Sequence, residues 1–436
     1  MTCASLNHLA VSGLPANMLA GCRGKPATNK HRMNKELSSF AARLRKRIAS
    51  FVAAEVTKLI FQNRKSEIGN HKCMEPSHVG SCENDFNLLA LELFALQFQH
   101  NPAYRKICEA RRLTPEIVTH WTQIPAVPTG AFKELELTSI PPDERTAVFH
   151  SSGTTRQKPS RHFHSPESLL VYEASLWNWF EPQVIEARGA ARAAWDLVIL
   201  TPPPSQAPHS SLVHMLETVW QHFGGGASIL ASRHEFLGQL DSDGTWTLDF
   251  AATLEVLSSR APRPAPYALL LLGTAFSFVH LLDYLVERDL RVKLPPGSRI
   301  METGGYKNRS RVLPKAELHA LITERLGVPR ENIICEYGMS ELSSQAYDSE
   351  IQHPASSIQH RVFHFPPWAR VQIISPETGR EVAEGETGLI RIFDLANVFS
   401  VAAIQTEDLG VRRGDGFELI GRAQLTEPRG CSLMNA

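Results

Sequence analysis

The sequence predicts an α/β protein: sheets covered by helices, a helical section before them and a small β lobe at the end. Three observations carry this. Between Pro125 and Gln359, short apolar runs of strand length alternate with stretches of helical spacing, the pattern of a sheet with helices packed on it. After Gln359 the helical stretches stop, and β-like runs are separated by turn sequences. Over 436 residues, 43% hydrophobic and 21% charged, the chain has enough apolar content to bury a large core, which excludes disorder along its length.

Residues 1–35 lack an apolar pattern and read as a poorly ordered tail, with Met33 an alternative start. Leu19-Ala20-Gly21-Cys22 has the small-residue shape of a lipoprotein cleavage site. Against it, Asn7, His8, Pro15 and Asn17 interrupt any apolar segment and no cation precedes Arg23. From Glu36, the residues Phe40, Leu44, Ile48, Phe51, Val52, Val56 and Ile60 recur at three- and four-residue spacing, predicting an amphipathic helix. Between it and a largely buried helix over Asn87 to Gln99 lie His71, Cys73, His78 and Cys82. Their spacing fits no zinc pattern with paired ligands on separate elements, so they read as an incidental loop.

Ala194 to Leu200, Ala268 to Leu272 and Asn332 to Cys335 read as buried strands, and Leu212 to Phe223, Phe278 to Arg288 and Lys315 to Leu326 as helices. Turns at Pro376-Glu377-Thr378-Gly379, Glu384-Gly385-Glu386 and Gly414-Asp415-Gly416 divide the last stretch into antiparallel strands. The expected organisation is an α/β core over 36–358, a β lobe over 359–421 and a tail over 422–436.

Charge and cysteine count exclude several functions. The 45 Lys and Arg balance 45 Asp and Glu, which removes the electrostatic case for nucleic acid or an anionic membrane. No apolar run approaches the roughly 20 residues that span a bilayer. Seven cysteines, an odd number scattered along the chain, point to a reducing cytoplasm rather than a secreted disulfide framework. No G-x-S-x-G elbow supports a serine hydrolase.

The chemistry concentrates in five segments. Ser151-Ser152-Gly153-Thr154-Thr155 follows the β-like run Ala147 to His150 and precedes Lys158 and Arg161. Hydroxyls around a glycine, with cations close by, suit phosphate oxygens, although no Walker A frame exists. Glu302-Thr303-Gly304-Gly305-Tyr306-Lys307 places two glycines after a strand, where a flat ring can approach the backbone. Glu336-Tyr337-Gly338-Met339-Ser340-Glu341 puts Glu341 near a strand's carboxyl end, the ligand side of such sheets. Thr406-Glu407-Asp408-Leu409-Gly410 offers a carboxylate for a diol such as ribose, and Gly421-Arg422 closes the strand Phe417 to Ile420. His150, His162 and His164 cluster around the first loop, where they could position a phosphate or carboxylate, and read first as packing or solvent-facing residues. Cys335 reads as a small core residue.

In this order the five segments resemble the adenylate-forming superfamily of acyl-CoA synthetases, luciferases and peptide-synthetase adenylation domains. Within it the chain is similar to the acyl-protein synthetases of bacterial luminescence (LuxE-like). The narrower likeness rests on Pro128-Thr129-Gly130-Ala131-Phe132-Lys133, Pro159-Ser160-Arg161-His162, Gln405 to Gly410 and Arg429-Gly430-Cys431-Ser432-Leu433, and runs from about Phe86 to Leu433. The resemblance implies ATP and Mg²⁺ as cofactors and a fatty acid as substrate, with an acyl reductase as partner protein. It implies that Ser151 to Thr155 hold phosphates with Lys158, that Gly304 and Gly305 border adenine, and that Tyr337 lies against nucleotide and carboxylate. Glu341 would help hold Mg²⁺, Asp408 would bind ribose, Arg422 would sit at a hinge and Cys431 would accept the acyl group.

Residue chemistry agrees with that implication. A carboxylate is already ionised at pH 7, so its attack on an α-phosphate needs charge neutralisation and alignment more than a base. A thiol near Arg429 gains thiolate character and can attack an acyl-adenylate. Two departures stand out. Arg156 occupies the position where the superfamily loop carries glycine, and the 14 residues after Arg422 leave the superfamily's mobile carboxyl-terminal domain expected to be missing. Two alternatives stay open: a ligase that delivers the acyl group to CoA, resembling phenylacetate–CoA ligases, and a non-catalytic nucleotide-binding subunit of a reductase complex.

Overall fold

A computed structural model describes residues 35–51, 79–151, 158–185, 194–223, 234–242, 244–260, 267–305, 310–352 and 359–423. Among these, one 12-stranded sheet organises the molecule. Its first part is parallel, with neighbours in the order His234–Phe236, Ala194–Ile199, Tyr267–Thr274, Arg299–Thr303 and Ile333–Tyr337. Parallel strands need crossovers, and helices supply them: Ser211–His222, Ala275–Glu287 and Lys315–Leu326 each lie between two of these strands in the chain.

The run Ala268 to Leu272 shows why the sheet is covered on both faces. Leu269 and Leu271 join one core with Leu282 of helix Ala275–Glu287 and Ile322 of helix Lys315–Leu326. Leu270 and Leu272 join the other core, with Leu176 of helix Pro166–Phe180 and Leu216 of helix Ser211–His222. Side chains alternate along a strand, so a continuous leucine run requires apolar partners above and below.

At Ile333–Tyr337 the sheet changes character. This strand is parallel to Arg299–Thr303 and antiparallel to Ala346–Gln352. The sheet then continues through Gln359–His364, Gly416–Arg422, Ala403–Arg413, Thr387–Asp394 and Ala369–Ile374, all antiparallel. The strands after Gln359 are therefore hydrogen-bonded to the α/β part, through the Ala346–Gln352 ladder. Val127–Pro128 runs parallel to Ala403–Arg413.

A separate hairpin, Ala147–His150 with Arg161–His164, carries the first chemical segment at its turn. Ser165 caps the helix that follows, accepting the Ser168 amide while Ser168 Oγ accepts the Ser165 amide.

The expected elements are found, with ends shifted by a few residues. The helix read from Glu36 occupies 35–51 of the described residues, and the one read from Asn87 begins at Val79. The strand read as Asn332 to Cys335 runs Ile333–Tyr337, so it includes Glu336 and Tyr337. His71, Cys73 and His78 lie outside the described residues, as does the side chain of Cys82.

Candidate active site

The site lies where the parallel part of the sheet ends, at the carboxyl ends of Arg299–Thr303 and Ile333–Tyr337. Ligands of such sheets bind at the carboxyl ends of the strands. Gly304 has φ +73°, a left-handed conformation that side chains resist. A Cβ added at Gly304 or Gly305 would meet no atom within 4 Å, so the turn presents bare backbone to open space. A flat ring fits such a surface.

Beneath the glycines is a buried ionic group. Glu302 is fully buried, takes an ion pair from Lys315 and lies 3.4 Å from His319 Nε2. Burial alone would raise the Glu302 carboxyl, but Lys315 and His319 outweigh it and hold the group down at about 2. Lys315 Nζ also donates to Cys335 Sγ at 3.0 Å. Cys335 is buried as expected, and burial pushes its thiol well above the ordinary range.

On the neighbouring strand, Glu336 accepts the Thr303 hydroxyl through Oε2. Burial, opposed by that bond and reinforced by Glu302, raises the Glu336 carboxyl to about 7. Its Oε1 lies where a side chain on Gly338 would have to pass, so position 338 has room only for glycine unless Glu336 moves.

Tyr337 points to the opposite face, among Phe363, Phe365 and Phe417, and donates to Asp408 Oδ2 at 2.8 Å. Two segments 71 residues apart in the chain thus meet through one hydrogen bond. Burial raises the Asp408 carboxyl, and the Tyr337 hydroxyl partly offsets this. Burial and Asp408 together push the phenol well above its usual range, so it stays a donor.

Glu341 is 5% exposed and accepts the Ser340 hydroxyl at 2.8 Å. Asn397 fixes its backbone: Nδ2 donates to Glu341 O and Val401 O, while Oδ1 accepts from Ser343 Oγ. The hairpin docks on the same turn, with His162 Nδ1 donating to Ser340 O at 2.8 Å and Ser160 Oγ 3.4 Å from Ser340 Oγ. Burial holds His162 at about 4, so this imidazole is neutral at pH 7. Of the three histidines, His162 and His164 are buried, and His150 is half-buried with its ring tilted against His209 at 4.8 Å.

Ser151 Oγ accepts the Ser160 amide at 3.0 Å, closing the base of the loop; Ser152, Gly153, Thr154, Thr155 and Arg156 lie outside the described residues. Lys158 is exposed and 3.6 Å from Glu134, and Arg161 pairs with Glu136. Arg422, also exposed, pairs with Glu407 at 3.0 Å and lies across the ladder from Asp408. Cys431 falls outside the described residues. Sequence reasoning assigned no role to Glu302, Glu336, Asp394 or Asn397. The signal was a charged or amide residue inside or just after an apolar strand, as in Ile300-Met301-Glu302 and Ile392-Phe393-Asp394.

These groups suit a nucleotide. Open backbone at Gly304 and Gly305 leaves room for a planar group, and Tyr337 occupies Oδ2 of Asp408. Among the described residues no cluster of three or more His, Cys, Asp or Glu could hold a metal ion. Glu341 is a single carboxylate, and Mg²⁺ is commonly held by one or two carboxylates plus substrate phosphates.

The model of the acyl-protein synthetase LuxE family matches residues 52–161 and 232–436. The chain belongs to that family. It is 25% identical over 409 residues to the long-chain-fatty-acid–luciferin-component ligase of Aliivibrio fischeri, covering 90% of this chain and 96% of that protein. The Vibrio harveyi ligase of the same name is 22% identical over 355 residues, covering 78% and 84%. Among solved structures, an open form of 2-hydroxyisobutyryl-CoA ligase with its acyl-adenylate and CoA superposes with TM-score 0.55 at 13% identity, over 81% of this chain and 75% of that one. The post-adenylation form of that enzyme gives 0.56 at 14% identity, over 81% and 73%. The fold is that of adenylate-forming ligases, and the LuxE family makes this protein an acid–thiol ligase, as the sequence motifs implied. No described helix is long and apolar enough to cross a membrane.

Proposed function

We propose that this LuxE-family protein activates a carboxylic acid, a fatty acid in the first instance, with ATP and then carries the acyl group on Cys431. The observation that supports it best is the Tyr337–Asp408 hydrogen bond, which joins segments 71 residues apart at the strand end that lies beside the Gly304-Gly305 turn. A carboxylate oxygen attacks the α-phosphorus, the bond to the β-phosphate breaks and pyrophosphate leaves. The Cys431 thiolate then attacks the acyl carbon and AMP departs with the bonding electrons. Tyr337 and Asp408 orient the nucleoside, and the glycine turn receives its base. Ser151 to Thr155 with Lys158 hold phosphates. Glu341 would hold Mg²⁺, which supplies charge neutralisation to the phosphates. Arg422 lies across the ladder from Asp408, the carboxylate for the ribose hydroxyls, at the hinge position.

The acyl thioester would be passed to a reductase in the cytoplasm. The test is exchange of labelled pyrophosphate into ATP over a panel of acids, with trapping of labelled acyl-protein. Exchange is expected for the matching acid, and Cys431→Ala should keep exchange while losing the covalent label. Exchange with no acid would end the activation reading. Persistence of the label in Cys431→Ala would move the acceptor elsewhere, and turnover of that variant with CoA would favour a CoA ligase, the chemistry of the superposed structures.

A further inference from the structure

Behind Tyr337, on the other face of its strand, polar groups are buried with their hydrogen-bonding capacity only partly used. Tyr347 lies directly across the antiparallel ladder from Glu336, so the two side chains share a face. Tyr347 is 2% exposed, and its hydroxyl has no hydrogen-bond partner among the described residues. Glu336 uses Oε2 for Thr303, while Oε1 rests against exposed Gly338. Tyr172, on the helix covering this face, makes two long bonds: it donates to Ser211 O at 3.3 Å and accepts from Gln345 Nε2 at 3.4 Å.

His164 adds a further unmatched atom beside the Tyr172 ring, at 6.1 Å between centroids. Ser168 Oγ gives its hydrogen to Ser165 O and accepts from the Ser165 amide, so the 3.1 Å contact requires His164 Nδ1 to donate. Nε2 is then a bare acceptor, buried without a partner among the described residues. Burial, with His162 and His214 near, keeps this ring neutral.

Native interiors leave few polar atoms unpaired, because each costs the hydration it gave up. A phenol and an imidazole nitrogen left unpaired around one ring, beside a carboxyl, make a lining that a ligand with its own donor and acceptor completes. The ligand's chemistry follows. Neutral imidazole and phenol groups do not call for an ion, and a hydrocarbon chain would leave them unpaired. A hydroxyl accepts from Tyr347 and donates to Glu336 at once.

We infer that the acid taken by this site carries a hydroxyl group within a few atoms of its carboxylate, received by Glu336 and Tyr347. Glu336 and Tyr337 are the last two residues of the strand and face opposite sides, so an acid whose carboxylate meets the nucleotide at this strand end reaches the Glu336 side within a few atoms by passing the end of the strand. The inference rests on the acid-activating reading above. A site built to bond a hydroxyl discriminates strongly against the analogue lacking it, because its own polar groups then stay unpaired.

Calorimetric binding to the full chain without ATP tests it, with 2-hydroxydecanoate, 3-hydroxydecanoate and decanoate as probes. The better hydroxy acid is expected to bind at least about tenfold tighter than decanoate. In Tyr347→Phe that ratio should fall to about threefold or less. Equal binding, tighter binding of decanoate or binding of none of the three would overturn the inference, and the wild-type ratio decides even if the variant does not fold. Pyrophosphate exchange with the same acids separates the two claims: a binding preference without exchange leaves the hydroxyl site standing and removes the activation reading.

Discussion

Glu336 is a carboxyl that folding keeps protonated at a pH where the unfolded chain has released the proton. Its value of about 7 lies above the ordinary 4.5, so the folded state binds more protons between these limits. Stability contributed by the protonated form is complete below about pH 4.5 and is lost as pH rises through 7. Glu302 works in the opposite direction, but its window lies between about 2 and 4.5. Asp394, raised to about 6 by burial, adds a loss of the same sign as Glu336 and is common to wild type and variant. Glu336→Gln, which mimics the protonated acid, should therefore gain on wild type by on the order of 2 kcal/mol between pH 5 and pH 8. Urea midpoints of both proteins at the two pH values check this, and parallel pH dependence would show that Glu336 is ionised in the fold. At this scale the sequence singled out Tyr337, Glu341 and Asp408 by motif but not the groups that surround them. Alternation along an apolar strand shows which positions are buried. It does not show that Thr303, 33 residues earlier in the chain, supplies the bond that lets a buried Glu336 keep its place.

Elements meet at this site through loops, and Asn397 is the joint. Its amide donates to Glu341 O and Val401 O, its oxygen accepts from Ser343, and its own carbonyl accepts from Gln97 Nε2 of helix Val79–His100. The turn after Ile333–Tyr337, the loop after Thr387–Asp394 and the helix Val79–His100 are thereby held together. Asn397→Ala would leave two buried carbonyls and a buried hydroxyl short of partners, at a cost of roughly 1–3 kcal/mol for each group left unpaired. The expected result is a urea midpoint lowered by more than a single lost bond explains, with a further fall in pyrophosphate exchange as Glu341 loses its fixed backbone. An unchanged midpoint would mean that the turn is held by Asp394 alone, which accepts the Ser343 amide and the Ser344 hydroxyl. The elements themselves were legible from spacing, since Lys315 to Leu326 and Ala147 to His150 are found with the ends expected. The loop joint was not, because a single asparagine in a turn carries no periodic signal and its partners lie about 50 and 300 residues away in the chain.

For the molecule as a whole, alternation of strands and helices foretold the sheet, and the shift after Gln359 foretold antiparallel strands. What spacing could not supply was the order in which the strands pair. That order brings Asp408 to Tyr337: Gly416–Arg422 lies between Gln359–His364 and Ala403–Arg413, so a nucleotide held by Gly304, Tyr337 and Asp408 would bridge the parallel and antiparallel parts. A ligand bound only by the folded state stabilises it by mass action. ATP at about a hundred times its dissociation constant, with no acid present, contributes about 2.7 kcal/mol. For a chain of this length that is a rise of about 3 °C in the melting temperature. Tyr337→Phe removes the hydroxyl that orients Asp408, a loss of about 1 kcal/mol in binding, and should reduce the rise to about 2 °C at the same ATP concentration. Calorimetric scans of the two proteins with and without ATP make the comparison. A rise of equal size in both would place the nucleotide away from Tyr337 and Asp408, and no rise in wild type at millimolar ATP would remove the nucleotide from this sheet altogether.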